Sequence, residues 1–73
     1  MATLAELESG KAGTVAAIKG DTAVKQRLTS MGFIKGASVE VGHESLFADP
    51  RTYIVKGYTI CMRKNEAEQI ILA

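Results

Sequence analysis

Apolar positions change their spacing abruptly within "RLTSMGFIKGASVEV", the stretch from Arg27 to Val41. Val24, Leu28 and Met31 recur at i, i+4 and i+7, which lays three side chains along one face of a helix. Gly20 breaks the chain before them, Asp21 is a capping type at the start, and Gly32 stands where a left-handed residue ends helices. A helix of about three turns is predicted between these signals. Beyond Ala37, Val39, Val41 and His43 alternate with Ser38, Glu40 and Gly42, which predicts a strand with one face inward.

Weaker patterns fill the remainder of the chain. "TLAEL" has Thr3 followed three residues later by Glu6, a reciprocal capping pattern that predicts one helical turn. After breaks at Gly10 and Gly13, the β-branched run Thr14–Ile18 predicts the first strand. "SLFADP" reads as a loop, with Asp49 and Pro50 as turn formers and Leu46 and Phe47 as apolar residues at its tip. "RTYIVK" and "YTICMR" are two β-rich runs parted at Gly57, a hairpin in which Tyr53 and Val55 share a core with Tyr58, Ile60 and Met62. Asn65, a capping type, opens a second short helical turn, and Ile70–Leu72 is the fifth strand.

Five short strands in 73 residues can hardly leave their edges open, so closure into a small, mainly β barrel over residues 1–73 is the expected architecture. Cys61 is the single cysteine, so no internal disulfide braces the fold, which suits a reducing cytoplasm. The start carries no signal-peptide pattern and no apolar run reaches membrane-helix length, so the expectation is a soluble, unprocessed chain without direct membrane insertion. A formal net charge of +1 offers no field to gather phosphates, and four aromatic residues without tryptophan make a poor stacking platform. Nucleic acid is therefore excluded as a first expectation.

Catalysis has little to work with: the one histidine continues the inward face of the second strand, and no base accompanies a nucleophile. Cys61 falls on the opposite parity from Ile60 and Met62, which predicts an exposed and inert thiol. A metal would have to draw on His43, Glu44, Asp49 and Cys61, no two of which stand at a ligand spacing. No cofactor is expected, and weak binding of Fe(II) or another divalent transition metal stays open. Gly32, Gly36, Gly42 and Gly57 read as turns, since no phosphate-cradling element accompanies them. Leu46 and Phe47, with Phe33 and Ile34 past the helix end, are costly to leave in water, so each folds back or meets a partner. Taken together they favour protein binding. Lys25 and Arg27 lie off the apolar stripe, where solvated helix charge is the plainer reading.

One ordered set of residues resembles a known family. Arg27-Leu28-x-x-Met31-Gly32-Phe33-x-x-Gly36, Val39, Val41, Asp49-Pro50, Gly57-Tyr58-x-Ile60-x-Met62-Arg63, Ala67 and Ile70 are similar to FeoA, the small cytosolic component of bacterial ferrous iron uptake. The resemblance implies an SH3-like barrel. It also implies a partner, FeoB, a polytopic membrane transporter with a cytosolic G-domain, and a peripheral place at the inner membrane through it. Lys35 stands where the family often has proline, and Leu46 and Ala48 stand where it often has proline and glycine before Asp-Pro. FeoA-like domains also close metal-dependent repressors, but no DNA-binding helices precede this stretch.

The expectation is thus a non-enzymatic accessory that binds FeoB through Met31, Phe33, Leu46, Phe47 and Asp49, with Lys25 and Arg27 as a charged rim. A direct Fe(II) chaperone or sensor, and a free-standing relative of the repressor domain, are the alternatives. Weak self-association is left open.

Overall fold

Asp21 starts the long helix as its residue type predicts. Its carboxylate accepts the N–H of Val24 at 3.0 Å and leads into helix α1, Thr22–Ser30, in the computed structural model, which describes residues 2–42 and 50–73. The nine residues make about two and a half turns, a little short of expectation. At the other end the N–H of Gly32 donates to the carbonyl of Thr29 at 3.0 Å, and that of Phe33 donates to Leu28 at 3.1 Å. Those two bonds, with Gly32 at φ +108°, form a Schellman stop. Leu28 and Phe33 are both fully buried, supplying the hydrophobic contact that accompanies such a stop. The junction that the sequence singles out is thus a helix end turned back into the core.

Five antiparallel strands form one sheet in the order β4-β3-β2-β1-β5: β1 Ala12–Ile18, β2 Ser38–Val41, β3 Arg51–Val55, β4 Tyr58–Met62 and β5 Ile70–Leu72. β1 begins earlier than predicted and contains Gly13 instead of breaking there. A Cβ on Gly13 would lie 3.0 Å from Leu72 Cδ1, so the glycine admits a close approach from β5. The β1–β5 register shifts between Val15 and Ala17, a bulge that bends β1. Val39 and Val41 of β2 are buried while Ser38 and Glu40 are exposed, as the alternation requires. His43, the next member of that series, lies outside the described residues.

β3 and β4 are joined at Lys56-Gly57, whose φ values of 53° and 81° match a type I′ turn, the tight turn whose twist suits a hairpin. Val55 then faces Tyr58, and Tyr53 faces Ile60. Tyr53, Val55 and Met62 are buried, Ile60 is half-buried, and Tyr58 is 69% exposed. The expectation that Tyr58 shares the core is therefore corrected: it stands at the hairpin corner, beyond the reach of the packed interior.

Two capping expectations also change. Thr3 Oγ1 hydrogen-bonds the Glu6 carboxylate at 3.4 Å but caps no backbone donor of the 3-10 turn Leu4–Glu6. Instead Thr3 bridges to Ile71, and the carbonyl of Ala2 accepts the N–H of Leu72 at 2.9 Å, so the N-terminal segment covers the outer edge of β5. Arg51 of β3 also holds that segment, donating to the carbonyls of Ala5, at 3.0 Å, and Leu7. The second helix, α2 (Lys64–Ala67), is preceded by Arg63 in the capping position, with Asn65 inside it. There Glu66 Oε1 accepts the N–H of Arg63 at 3.2 Å.

Inside this frame Leu4, Val15, Leu28, Phe33, Val39, Val41, Tyr53, Val55, Ala67 and Ile70 are the best-buried side chains. Among the described residues the Tyr53 hydroxyl is the one polar side-chain group that joins them. The fold rests on apolar packing, as a chain with one free, exposed cysteine requires.

Candidate functional site

Where α1 ends, the surface turns apolar on two sides. On one side an open hollow is lined by Ala17 and Ile18 of β1, Lys25 and Thr29 of α1, and Phe33, Ile34 and Lys35 of the junction. Ile34 is 41% exposed, and the two lysines make the border of this hollow basic. On the other side a second hollow lies between Ser30 and Met31 at the helix end and Tyr58, Thr59 and Ile60 of β4. Gly32 sits between them with Lys56 folded against it: a Cβ at Gly32 would stand 3.2 Å from Lys56 Cγ. The helix terminus and the hairpin turn therefore meet at Gly32.

Both hollows are open and mostly apolar, and Lys25 and Lys35 give the first one a polar rim of the kind that surrounds the apolar centre of a protein contact. Among the described residues no group of three His, Cys, Asp or Glu side chains converges on a point where a metal could bind. Cys61 is exposed on β4, with Thr52 Oγ1 3.8 Å from its sulfur. His43, Glu44 and Asp49, the other metal candidates, lie outside the described residues.

The residues expected to form a contact surface are distributed unevenly. Met31 caps α1 and lines the second hollow, half-buried. Lys25 borders the first hollow. Arg27 is 56% exposed but pairs with Glu66 at 2.9 Å, tying α1 to α2. Phe33 is corrected: its side chain is in the core at 0% exposure, so the neighbouring Ile34 presents the apolar surface at this junction. Leu46, Phe47 and Asp49 lie outside the described residues.

Sequence reasoning missed Tyr58 and Ile60 as surface residues. A signal for Tyr58 was available, since it follows directly on a Lys-Gly turn, and a residue closing a two-residue hairpin sits at the sheet's corner. For Ile60 alternation gave the side of the strand but not the opening beside it, which depends on where α1 stops.

Comparison with known proteins places this architecture. The family model for the FeoA domain matches residues 2–73. An Fe(2+) transport protein A/Fe(2+) transporter FeoB fusion protein of Porphyromonas gingivalis is 27% identical over 67 residues, covering 92% of this chain and only 8% of the fusion's length. The solution structure of FeoA from Chlorobium tepidum is 32% identical, with a TM-score of 0.86 over 97% of this chain and 68% of that one. A zinc-complexed FeoA of Stenotrophomonas maltophilia, an SH3 domain protein, is 23% identical, with a TM-score of 0.87 over 100% of this chain and 91% of that one. At that identity the likeness speaks for the fold alone. By the match to nearly its whole length, the chain belongs to the FeoA family of ferrous iron transport.

Proposed function

We propose that this protein is a non-enzymatic accessory of ferrous iron uptake that docks on the cytosolic part of a FeoB-type transporter, with its GTPase cycle or gate as the point of action. The observation that carries the reading is the Porphyromonas gingivalis relative, in which a similar segment and a FeoB are one polypeptide. Covalent linkage keeps two folded units at an effective concentration of about millimolar, which favours pairs that work in contact. In the described residues no helix is long and apolar enough to cross a membrane, so a separate chain would reach such a partner by docking.

The face around the end of α1 supports the same reading. Met31, Ile34, Tyr58 and Ile60 supply apolar area, and Lys25 and Lys35 supply a cationic border. Leu46, Phe47 and Asp49 remain part of the proposed contact by residue type. Co-purification of this chain with the FeoB of the same organism, without nucleotide and with GDP or a GTP analogue, tests the proposal. A complex in at least one state is expected, and none in any state overturns it. Fe(II) is the transporter's cargo here, with no resident site proposed on this chain. An anaerobic calorimetric titration is expected to show no binding tighter than millimolar, whereas tight stoichiometric binding lost on His43→Ala would make the chain a carrier.

A further inference from the structure

The two outer edges of the sheet are treated differently. At β5 the N-terminal segment lies alongside, with the Thr3–Ile71 bridge and the bond between Leu72 and Ala2 occupying that edge. At β4, the opposite end of the strand order, no strand or loop among the described residues takes up the outward backbone groups. The register identifies those groups. In a hairpin with a two-residue turn, Val55 and Tyr58 exchange bonds, and so do Tyr53 with Ile60 and Arg51 with Met62. Thr59 and Cys61, both exposed, therefore aim their N–H and C=O groups away from β3.

Natural edges are usually blunted by proline, a bulge or an inward-pointing charge. β4 reads Tyr-Thr-Ile-Cys-Met, and its pairing with β3 runs without a shift, so none of these devices is present. The hollow between Met31, Tyr58 and Ile60 lies beside the same edge. A strand added there would drop alternate side chains over it, because strand side chains point to opposite faces by turns.

Charge selects the occupant. Lys56 stands at the turn end of β4, with Arg63 at the other end, both exposed. A second copy of this chain pairing antiparallel about Ile60 would bring its Arg63, still extended beyond β4, opposite Gly57 and beside Lys56, setting like charges together at both ends of the ladder. An extended segment with acidic residues at its ends meets opposite charge instead.

We propose that the outer edge of β4 is a strand-addition site for an extended, acid-flanked segment of a partner protein. Thr59 and Cys61 supply main-chain hydrogen bonds, and the hollow at Met31, Tyr58 and Ile60 receives an apolar side chain. The inference is independent of which protein supplies the strand, and so stands or falls separately from docking on FeoB.

The test uses the full chain, isotope-labelled for NMR, and three blocked peptides. The first is acetyl-Glu-Glu-Thr-Val-Thr-Val-Thr-Glu-Glu-amide, the second carries lysine for glutamate, and the third is the acidic peptide N-methylated at alternate residues. The acidic peptide is expected to give saturable shifts centred on the Thr59 and Cys61 amides and to slow their hydrogen exchange. Binding is expected to fall at least tenfold for the lysine and N-methylated peptides.

Thr59→Pro removes one outward donor without touching the β3 ladder. The variant is expected to keep the amide spectrum of the fold and lose the peptide. Absence of saturable shifts at millimolar acidic peptide, equal binding of the N-methylated form, or shifts confined to another face would overturn the proposal. Self-association of the chain that Thr59→Pro abolishes would also overturn it, assigning the edge to a second copy.

Discussion

The N–H of Phe33 donates to the carbonyl of Leu28 across the end of α1 at 3.1 Å, and both side chains have 0% exposure. One backbone bond and one apolar contact thus fix where the helix stops and where the chain re-enters the sheet. The conformation demands Gly32 between them at φ +108°. Gly32→Ala is expected to destabilise the fold by about 1–2 kcal/mol, the cost of a left-handed alanine. Urea unfolding measures it; an unchanged midpoint would mean that the stop tolerates a side chain.

Phe33 and Ile34 are adjacent but opposite in role. Phe33→Ala removes a fully buried ring and is expected to cost about 3–5 kcal/mol. Ile34→Ser, at an exposed position, is expected to stay within about 0.5 kcal/mol. Thermal unfolding of the two variants separates these outcomes clearly, since in a domain of this size 1 kcal/mol moves Tm by about 4–8 °C.

Glu66 serves two elements with one carboxylate: Oε1 accepts the N–H of Arg63 and Oε2 pairs with Arg27. Because Arg27 is more than half exposed, solvent screens the pair, and a double-mutant cycle of Arg27→Met with Glu66→Gln is expected to give a coupling of about 0.2–1 kcal/mol. That coupling is expected to shrink in molar salt. A salt-independent value would contradict the assignment as a screened surface pair.

Arg51 reaches two carbonyls of the N-terminal segment, and its guanidinium lies 5.6 Å from the Tyr53 ring centroid. Arg51→Met keeps the stem and loses the donors, for an expected loss of about 1.5–3 kcal/mol. Amide exchange locates the effect: protection at Leu72, bonded to Ala2, is expected to fall before that at Tyr53. Uniform loss across the sheet would show that Arg51 supports the barrel as a whole.

Much of this fold could be read from spacing and residue type. Asp21, the Val24–Leu28–Met31 stripe and Gly32 bracket α1 because each acts through neighbours within one turn. Val39 and Val41 mark β2 because period two decides which side is buried. What escaped reading depends on contacts far apart in the chain. Tyr58 has the core's parity, yet parity gives direction and not the distance to the edge of the packing. Thr3 has a cap's spacing but is held by β5, which a reading confined to four residues cannot see. The apolar excess of the junction was legible, while its division between buried Phe33 and exposed Ile34 was set by the Schellman bond to Leu28.

The most direct measurement of the central proposal is the affinity of this chain for the full-length FeoB of the same organism, in lipid nanodiscs, without nucleotide and with GDP or a GTP analogue. Wild-type chain is compared with Tyr58→Asp and Met31→Asp. A saturable complex is expected in at least one nucleotide state, weakened at least tenfold by each substitution while Tyr58→Asp keeps the wild-type Tm, because a charge in a desolvated contact is left unpaired. No complex in any state, or a complex indifferent to both substitutions, would contradict the proposal.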